Sequence, residues 1–245
     1  MPARCIALIP AAGAGRRFGG DLPKQYVDVA GKTLLGRTLA RLSGTLALDA
    51  IFVALAPNDA WYRTLVGEQL GVATLYCGGA TRARTVANAL AAIAHRCVDD
   101  DWILVHDAAR PCVPADALLR LVDELRDDPV GGLLAIPVAD TLKREDRATP
   151  ARVLQSKDRS GLWQAQAPQM FRYHFLRDAL ARPEALEASD EAEAVEGLAG
   201  TGACALPSLI AGSALNINIT FAADLALAAA IIAIQESERP ESLVS

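Results

Sequence analysis

A loop almost without side chains, followed by cations, is the first chemistry legible in this chain. Residues 11–15 read A-A-G-A-G, with Arg16 and Arg17 directly behind and Lys24 shortly after. Residues without bulk let a ligand approach backbone N–H groups, and the cations beside them neutralise anionic oxygens. Small, then cationic, suits a phosphate group. A Walker A loop would end in Gly-Lys-Ser/Thr, and a dinucleotide fingerprint would need a small residue where Phe18 stands; neither motif is met.

Two further clusters carry usable groups. Gly78-Gly79-Ala80-Thr81-Arg82 opens a helix, where backbone donors and the Thr85 hydroxyl one turn on are suited to reading a base edge. His106-Asp107-Ala108-Ala109-Arg110-Pro111 offers a carboxylate for a divalent cation and an arginine for a substrate phosphate. A simple ion pair between Asp107 and Arg110 is the plainer alternative.

The elements that must position these groups alternate. Cys5–Ile9 is short, aliphatic and uninterrupted, which predicts a buried strand with a loop from Pro10. Further strands are expected at Ile51–Leu55, Val72–Tyr76, Trp102–His106 and Gly131–Ile136. Helices are expected between them at Thr33–Leu42, from an Asn58 cap to about Leu70, at Thr81–Ala94 and at Pro114–Arg126. This is the pattern of a parallel sheet with helices on both faces, with ligands beyond the carboxyl ends of the strands. The alternation lapses over 138–161, a polar stretch too long for an ordinary loop and read as an arm reaching a partner subunit. It resumes with a strand at Ala165–Phe171, helices at Tyr173–Ala181 and Asp190–Leu198, a last strand at Leu215–Ile219 and a helix at Ala222–Gln235. Residues 236–245 are expected to form a flexible tail, and the remainder to form one domain into which the arm is inserted.

Composition narrows the function classes. A net charge of −5 over 245 residues argues against a nucleic-acid groove as the main business. Five cysteines, odd in number and without a C-x-x-C pair, suggest neither a disulfide framework nor a zinc site, and point to a reducing cytoplasm. The longest apolar stretch, Leu225–Ile234, is too short to span a bilayer, so no membrane association is expected.

The motifs I-P-A-A-G-x-G-R-R, P-K-Q-Y, G-G-A-x-R, V-H-D-A-A-R-P, D-T-L-K-R, G-L-W-x-A-x-x-P-Q, S-D-E-A and N-I-x-I-T occur in that order over nearly the whole chain. Together they resemble the 2-C-methyl-D-erythritol 4-phosphate cytidylyltransferases, nucleotidyltransferases of the non-mevalonate isoprenoid pathway. The resemblance implies an α/β, Rossmann-like, mostly parallel sheet with helices on both faces, a protruding dimerisation arm, CTP and a polyol phosphate as substrates, and Mg²⁺. It implies Arg17 and Lys24 as the catalytic basic pair. Pro10, Ala11, Ala12, Gly13, Gly15, Gly79, Ala80, Arg82 and Thr85 match the nucleotide pocket. Asp107 matches the metal ligand, which also meets substrate. Arg110, Ser189 and, from a partner's arm, Thr141 and Arg159 match the polyol phosphate site, with Asp140 a contact or an orienter of the arm. A phosphate monoester is already ionised near neutral pH, so no general base is needed and His106 is read as structural.

Three departures stand out. Asn218 occupies the place of the family's lysine in N-I-K-[IV]-T, residues 212–215 lack a carboxylate often found there, and Ala167 replaces the threonine usual before P-Q. A slower enzyme, or one whose Asn218 is assisted by another cation, is the expectation. Two other readings stay open: a cytidylyltransferase for another polyol phosphate such as ribitol 5-phosphate, and a catalytically silent nucleotide-binding regulatory protein.

Overall fold

Successive strand residues point to opposite faces, and in the first strand, β1 (Cys5–Pro10), both faces are apolar. Ile6 and Leu8 enter one buried cluster while Ala7 and Ile9 enter another. Such a strand belongs in the middle of a sheet that is covered on both sides. The computed structural model, which describes residues 3–13, 15, 18–19, 22–147 and 150–238, places it there.

A small antiparallel pair, β2 (Asp28–Val29) and β3 (Lys32–Thr33), turns the chain into α1 (Leu34–Ser43), whose N-terminus the Thr33 hydroxyl caps through Gly36 N. There follow β4 (Ala50–Ala54), a short α2 (Tyr62–Leu65), β5 (Val72–Leu75), α3 (Arg82–Ile93), β6 (Trp102–Val105), α4 (Ala115–Leu125) and β7 (Gly131–Pro137). After an exposed hairpin of β8 (Leu142–Glu145) and β9 (Val153–Lys157) come β10 (Trp163–Arg172), α5 (Tyr173–Leu180), α6 (Glu191–Ala199), β11 (Ser208–Ala211) and α7 (Asp224–Ser237).

The central sheet has seven strands in the order β11-β7-β10-β6-β1-β4-β5. All run parallel except β10, which is antiparallel to both β6 and β7. α1 and α4 pack Leu35, Leu39, Leu118 and Leu121 against one face; α3, α5 and α6 pack Val86, Leu90, Leu176 and Val195 against the other. Each such buried aliphatic side chain contributes about 1.5–3 kcal/mol. A third cluster seats Ile231 and Ile232 of α7 against Leu34, Cys112 and Ile219. No helix among the described residues is long and apolar enough to cross a membrane.

Three expectations need correction. The helix expected from Asn58 to about Leu70 is only α2, and its start is held by Asp59, whose Oδ1 accepts from Trp61 N and Tyr62 N at 3.1 and 2.9 Å. The strand expected at Leu215–Ile219 is an irregular segment. Its burial does not follow the apolar–polar alternation: Asn216 is fully buried and Leu215 exposed, whereas Ile219 is buried and Asn218 exposed. The edge strand is instead β11, too short for periodicity to reveal. Glu236 and Ser237, expected in the tail, are instead helical, and Glu236 pairs with Arg37 at 2.5 Å. Residues 239–245 lie outside the described residues, as does Arg17.

Candidate active site

From β1 the chain runs to β4 and β5 on one side, then returns to β6 on the other. The loops after β1 and β6 therefore diverge, and a crevice opens between them at the carboxyl ends of the strands. The cleft found there has a volume of about 640 Å³, within the range of small-ligand sites.

Most of the residues singled out from sequence meet in it. Pro10, Ala11, Ala12, Gly13, Gly15 and Lys24 come from the first loop, Gly79, Ala80, Arg82 and Thr85 from the start of α3, Asp107 and Arg110 from the loop after β6. Ala167 of β10, Ser189 before α6 and Asn218 before α7 complete the wall. Thr141 and Arg159 do not join them; both are exposed beside the hairpin, outside the cleft.

Glycines set how closely the loops approach. A Cβ on Gly78 would lie 2.3 Å from Ala12 Cβ, so the loops after β1 and β5 touch only because residue 78 has none. Gly15, at φ +63°, lies against the stem of Lys24, where a Cβ would come within 2.9 Å of Cγ. The Lys24 ammonium donates to Ile219 O at 3.0 Å. A cation is thus docked one residue from Asn218.

Asp107 sits between two guanidinium groups. Its Oδ1 accepts from Arg82 Nε and Nη2 at 3.1 and 2.9 Å, and its Oδ2 accepts from Arg110 Nε at 3.1 Å. Burial opposes ionisation of Asp107, but Arg82 and Arg110 outweigh it and hold the carboxyl below the usual range. The pairing with Arg110 is thus present, but as one half of a partly buried three-group arrangement rather than an isolated surface pair. Arg82 also donates through Nη1 to Glu191 Oε1 at 2.5 Å, and Arg110 through Nη1 to Asn216 O at 2.6 Å. Burial pushes Glu191 up against the pull of Arg82.

Several groups are engaged by the fold itself. The Thr85 hydroxyl donates to Thr81 O at 2.9 Å and accepts from Gly79 N at 3.0 Å. Its only proton is engaged, so it shapes the Gly79 loop and has just an acceptor left for a base. Ser189 donates its hydroxyl and its N–H to Glu193 Oε2, while Asp190 caps α6 through Glu193 N. His106 is fully buried, 3.1 Å from Arg110 O through Nε2, and burial pushes it down to about 4. It is neutral near neutral pH and outside the cleft wall. Thr38 of α1 holds Ala108 O at 3.1 Å, which fixes the same loop from behind.

Sequence reasoning passed over Gln25, Gln166, Gln169, Glu191 and Asn216. Gln25 Nε2 ties down Ala11 O at 2.8 Å; Gln169 holds Asp190 Oδ2 and Ala192 N; Asn216 Nδ2 reaches Ala167 O at 2.7 Å. All but Gln166 lie in the quoted motifs, so the signal was present, but their partners are remote in sequence.

The family model described as 2-C-methyl-D-erythritol 4-phosphate cytidylyltransferase matches residues 5–234. Curated proteins of that name from Dechloromonas aromatica and Laribacter hongkongensis are each 49% identical to the chain, over 95% and 96% of its length and 98% of theirs. A crystal structure titled 4-diphosphocytidyl-2C-methyl-D-erythritol synthase superposes with a TM-score of 0.81 at 38% identity, covering 95% of this chain and 99% of that one. The 2-C-methyl-D-erythritol 4-phosphate cytidylyltransferase of Thermus thermophilus superposes with a TM-score of 0.74 at 33% identity, covering 94% and 98%.

Proposed function

Because the chain belongs to the 2-C-methyl-D-erythritol 4-phosphate cytidylyltransferase family, we infer that it transfers the cytidylyl group of CTP to 2-C-methyl-D-erythritol 4-phosphate. The products are 4-diphosphocytidyl-2-C-methyl-D-erythritol and diphosphate, a step of isoprenoid precursor biosynthesis. The observation that carries this reading is the convergence of Lys24, Arg82, Asp107 and Arg110 on one cleft walled by a side-chain-poor loop.

The attacking phosphate oxygen meets the α-phosphorus as diphosphate leaves, so charge must be stabilised more in the transition state than before it. Lys24, held at the cleft by Ile219 O, supplies a fixed cation for the triphosphate and α-phosphate oxygens. Arg17 is its partner on this reading. Pro10, the 11–13 backbone, Gly79 and Ala80 hold the cytidine, and Arg110 and Ser189 face the polyol phosphate.

Asp107 is the place for Mg²⁺. No group of three His, Cys, Asp or Glu side chains comes together among the described residues, so the protein offers one firmly ionised carboxylate. That fits Mg²⁺, which commonly takes one or two carboxylates and completes its shell with substrate phosphates and water. Bound there, it would neutralise charge on the triphosphate.

Thr141 and Arg159 do not line their own chain's cleft, and we assign them to the site of a second copy, making the protein a homodimer through the 138–161 arm. The apolar Val153, Leu154, Leu162 and Trp163 exposed on and beside the hairpin support this. Arg159→Ala is expected to raise KM for the polyol phosphate at least tenfold, the loss of a two-pronged guanidinium–phosphate contact, with KM for CTP nearly unchanged. Steady-state kinetics in both substrates checks this; equal effects would move Arg159 out of the site. Five free cysteines accord with a cytoplasmic protein.

Asn218→Lys is expected to raise kcat by roughly 10-fold or more, by adding a preorganised cation where Asn218 lines the cleft. Unchanged or lower turnover would show that Lys24 already suffices there. The activity itself is tested by diphosphate release with Mg²⁺ and CTP, comparing 2-C-methyl-D-erythritol 4-phosphate with D-ribitol 5-phosphate. Release only with the former establishes the reading. Release with ribitol phosphate, favoured by Ala167 and Asn218 in the wall, would change the substrate, and CTP binding without release would make this a silent binder.

A further inference from the structure

Nothing in the transfer chemistry calls for Glu191, yet it is 1% exposed at the first residue of α6 with its carboxylate against Arg82. Only one of its oxygens is used. Oε1 accepts from Arg82 Nη1, whereas Oε2 is buried and has no hydrogen-bond partner among the described residues. Arg82 meanwhile directs Nε and Nη2 to the same oxygen of Asp107, and Arg110 Nε takes the other. Oδ1 of Asp107 thus already accepts two N–H groups of Arg82 while Oδ2 accepts one from Arg110, so a cation that takes up Oδ1 must displace Arg82.

Arg110 is poorly placed to withdraw, since Nη1 is also fastened to Asn216 O at 2.6 Å. Arg82 has somewhere to go. A guanidinium–carboxylate pair is strongest as a two-bond fork, and Arg82 makes only one of the two bonds that Glu191 can accept. We propose that Glu191 is a positioning residue of the cation site, giving Arg82 a second, two-bond seat on its open oxygen when Asp107 takes up a divalent cation with the nucleotide. The exchange leaves no charge unpaired: Arg82 stays with a carboxylate throughout, and Asp107 trades one cation for another. A buried carboxylate with one unmade bond is costly in a single-state site; here that bond is made in the second state. The inference rests on Asp107 as the cation ligand.

The test is calorimetric titration of the purified full chain with CTP, without polyol phosphate, in Mg²⁺ and in EDTA. The ratio of the two Kd values measures the coupling between cation and nucleotide, and direct contacts of Arg82 with CTP that are common to both conditions cancel in it. Glu191→Gln keeps an acceptor for Nη1 but puts an NH₂ group where the open oxygen stood, so the coupling ratio is expected to fall at least about fivefold. Arg82→Gln removes the competitor, and its ratio is expected to equal or exceed that of the wild type. Adding Glu191→Gln to Arg82→Gln is then expected to change nothing further, because Glu191 acts through Arg82. A ratio unchanged in Glu191→Gln, or lowered equally in both backgrounds, overturns the proposal and leaves Glu191 a support of the fold. Should Glu191→Gln fail to fold, an Arg82→Gln ratio below wild type overturns it, and one at or above wild type upholds it. A wild type whose CTP affinity ignores Mg²⁺ would take down the cation assignment and this inference together, which separates that failure from the others.

Discussion

Replacement of Lys24 by alanine is expected to lower kcat by roughly 10²–10³-fold, the usual consequence of removing one preorganised transition-state donor, while KM for CTP changes far less. The ammonium is held in place before substrate arrives, by Ile219 O at 3.0 Å and by a stem pressed under Gly15. A cation fixed in this way needs no reorganisation as charge builds on the α-phosphate, so its effect falls on turnover rather than on ground-state binding. Alanine leaves the Gly15 contact unstrained, and the variant should melt close to the wild type. Steady-state diphosphate release in both substrates, with circular-dichroism melting as the control, checks this. A fall in kcat below about tenfold, or a loss confined to KM for CTP, would make Lys24 a binding group only. Lys24→Arg should recover part of the activity, since it restores the charge with a different reach.

Asp107→Asn is expected to abolish the Mg²⁺ dependence of CTP binding and lower kcat/KM by roughly 10³-fold, the scale of a lost Lewis-acid contribution. The four charges of Arg82, Arg110, Asp107 and Glu191 balance in the present cluster. Without Asp107 the cluster carries a net positive charge, which repels a divalent cation and attracts a triphosphate. The sign is therefore opposite in the two conditions: CTP should bind the variant more tightly than wild type in EDTA and gain nothing from Mg²⁺. Arg82 keeps Glu191 and Arg110 keeps Asn216 O, so the fold should survive with reduced stability. Titration calorimetry with and without Mg²⁺ reads both signs at once. A Mg²⁺ enhancement equal to the wild type's would remove Asp107 from the cation site.

Most of the framework was legible because its elements are determined over short distances. The apolar run of β1 and the period of Leu35, Leu39 and Leu42 in α1 are properties of consecutive residues, and they appear where expected. The Asn58 helix failed for an equally local reason, since Asp59 rather than Asn58 offers the cap and Gly67, at φ +76°, follows almost at once. The loops after β1, β5 and β6 were legible as chemistry because glycines and cations at fixed spacing identify themselves without knowledge of the fold.

What the tertiary structure alone decided is which of those groups face one another. That β10 runs antiparallel between β6 and β7 depends on sheet order, which no window of sequence contains. The 215–219 segment reads as a half-buried strand until its neighbours are known. Gln166 and Ala167 of β10 then supply the partners that draw Asn216 inward and leave Leu215 in solvent. Lys24 meets Ile219 across 195 residues and Arg82 meets Glu191 across 109. The residue types and the chemistry they can perform were thus present in the chain. The pairing of Arg82 with two carboxylates at once was not, because burial and long-range packing, rather than local propensity, bring three such charges within hydrogen-bond reach.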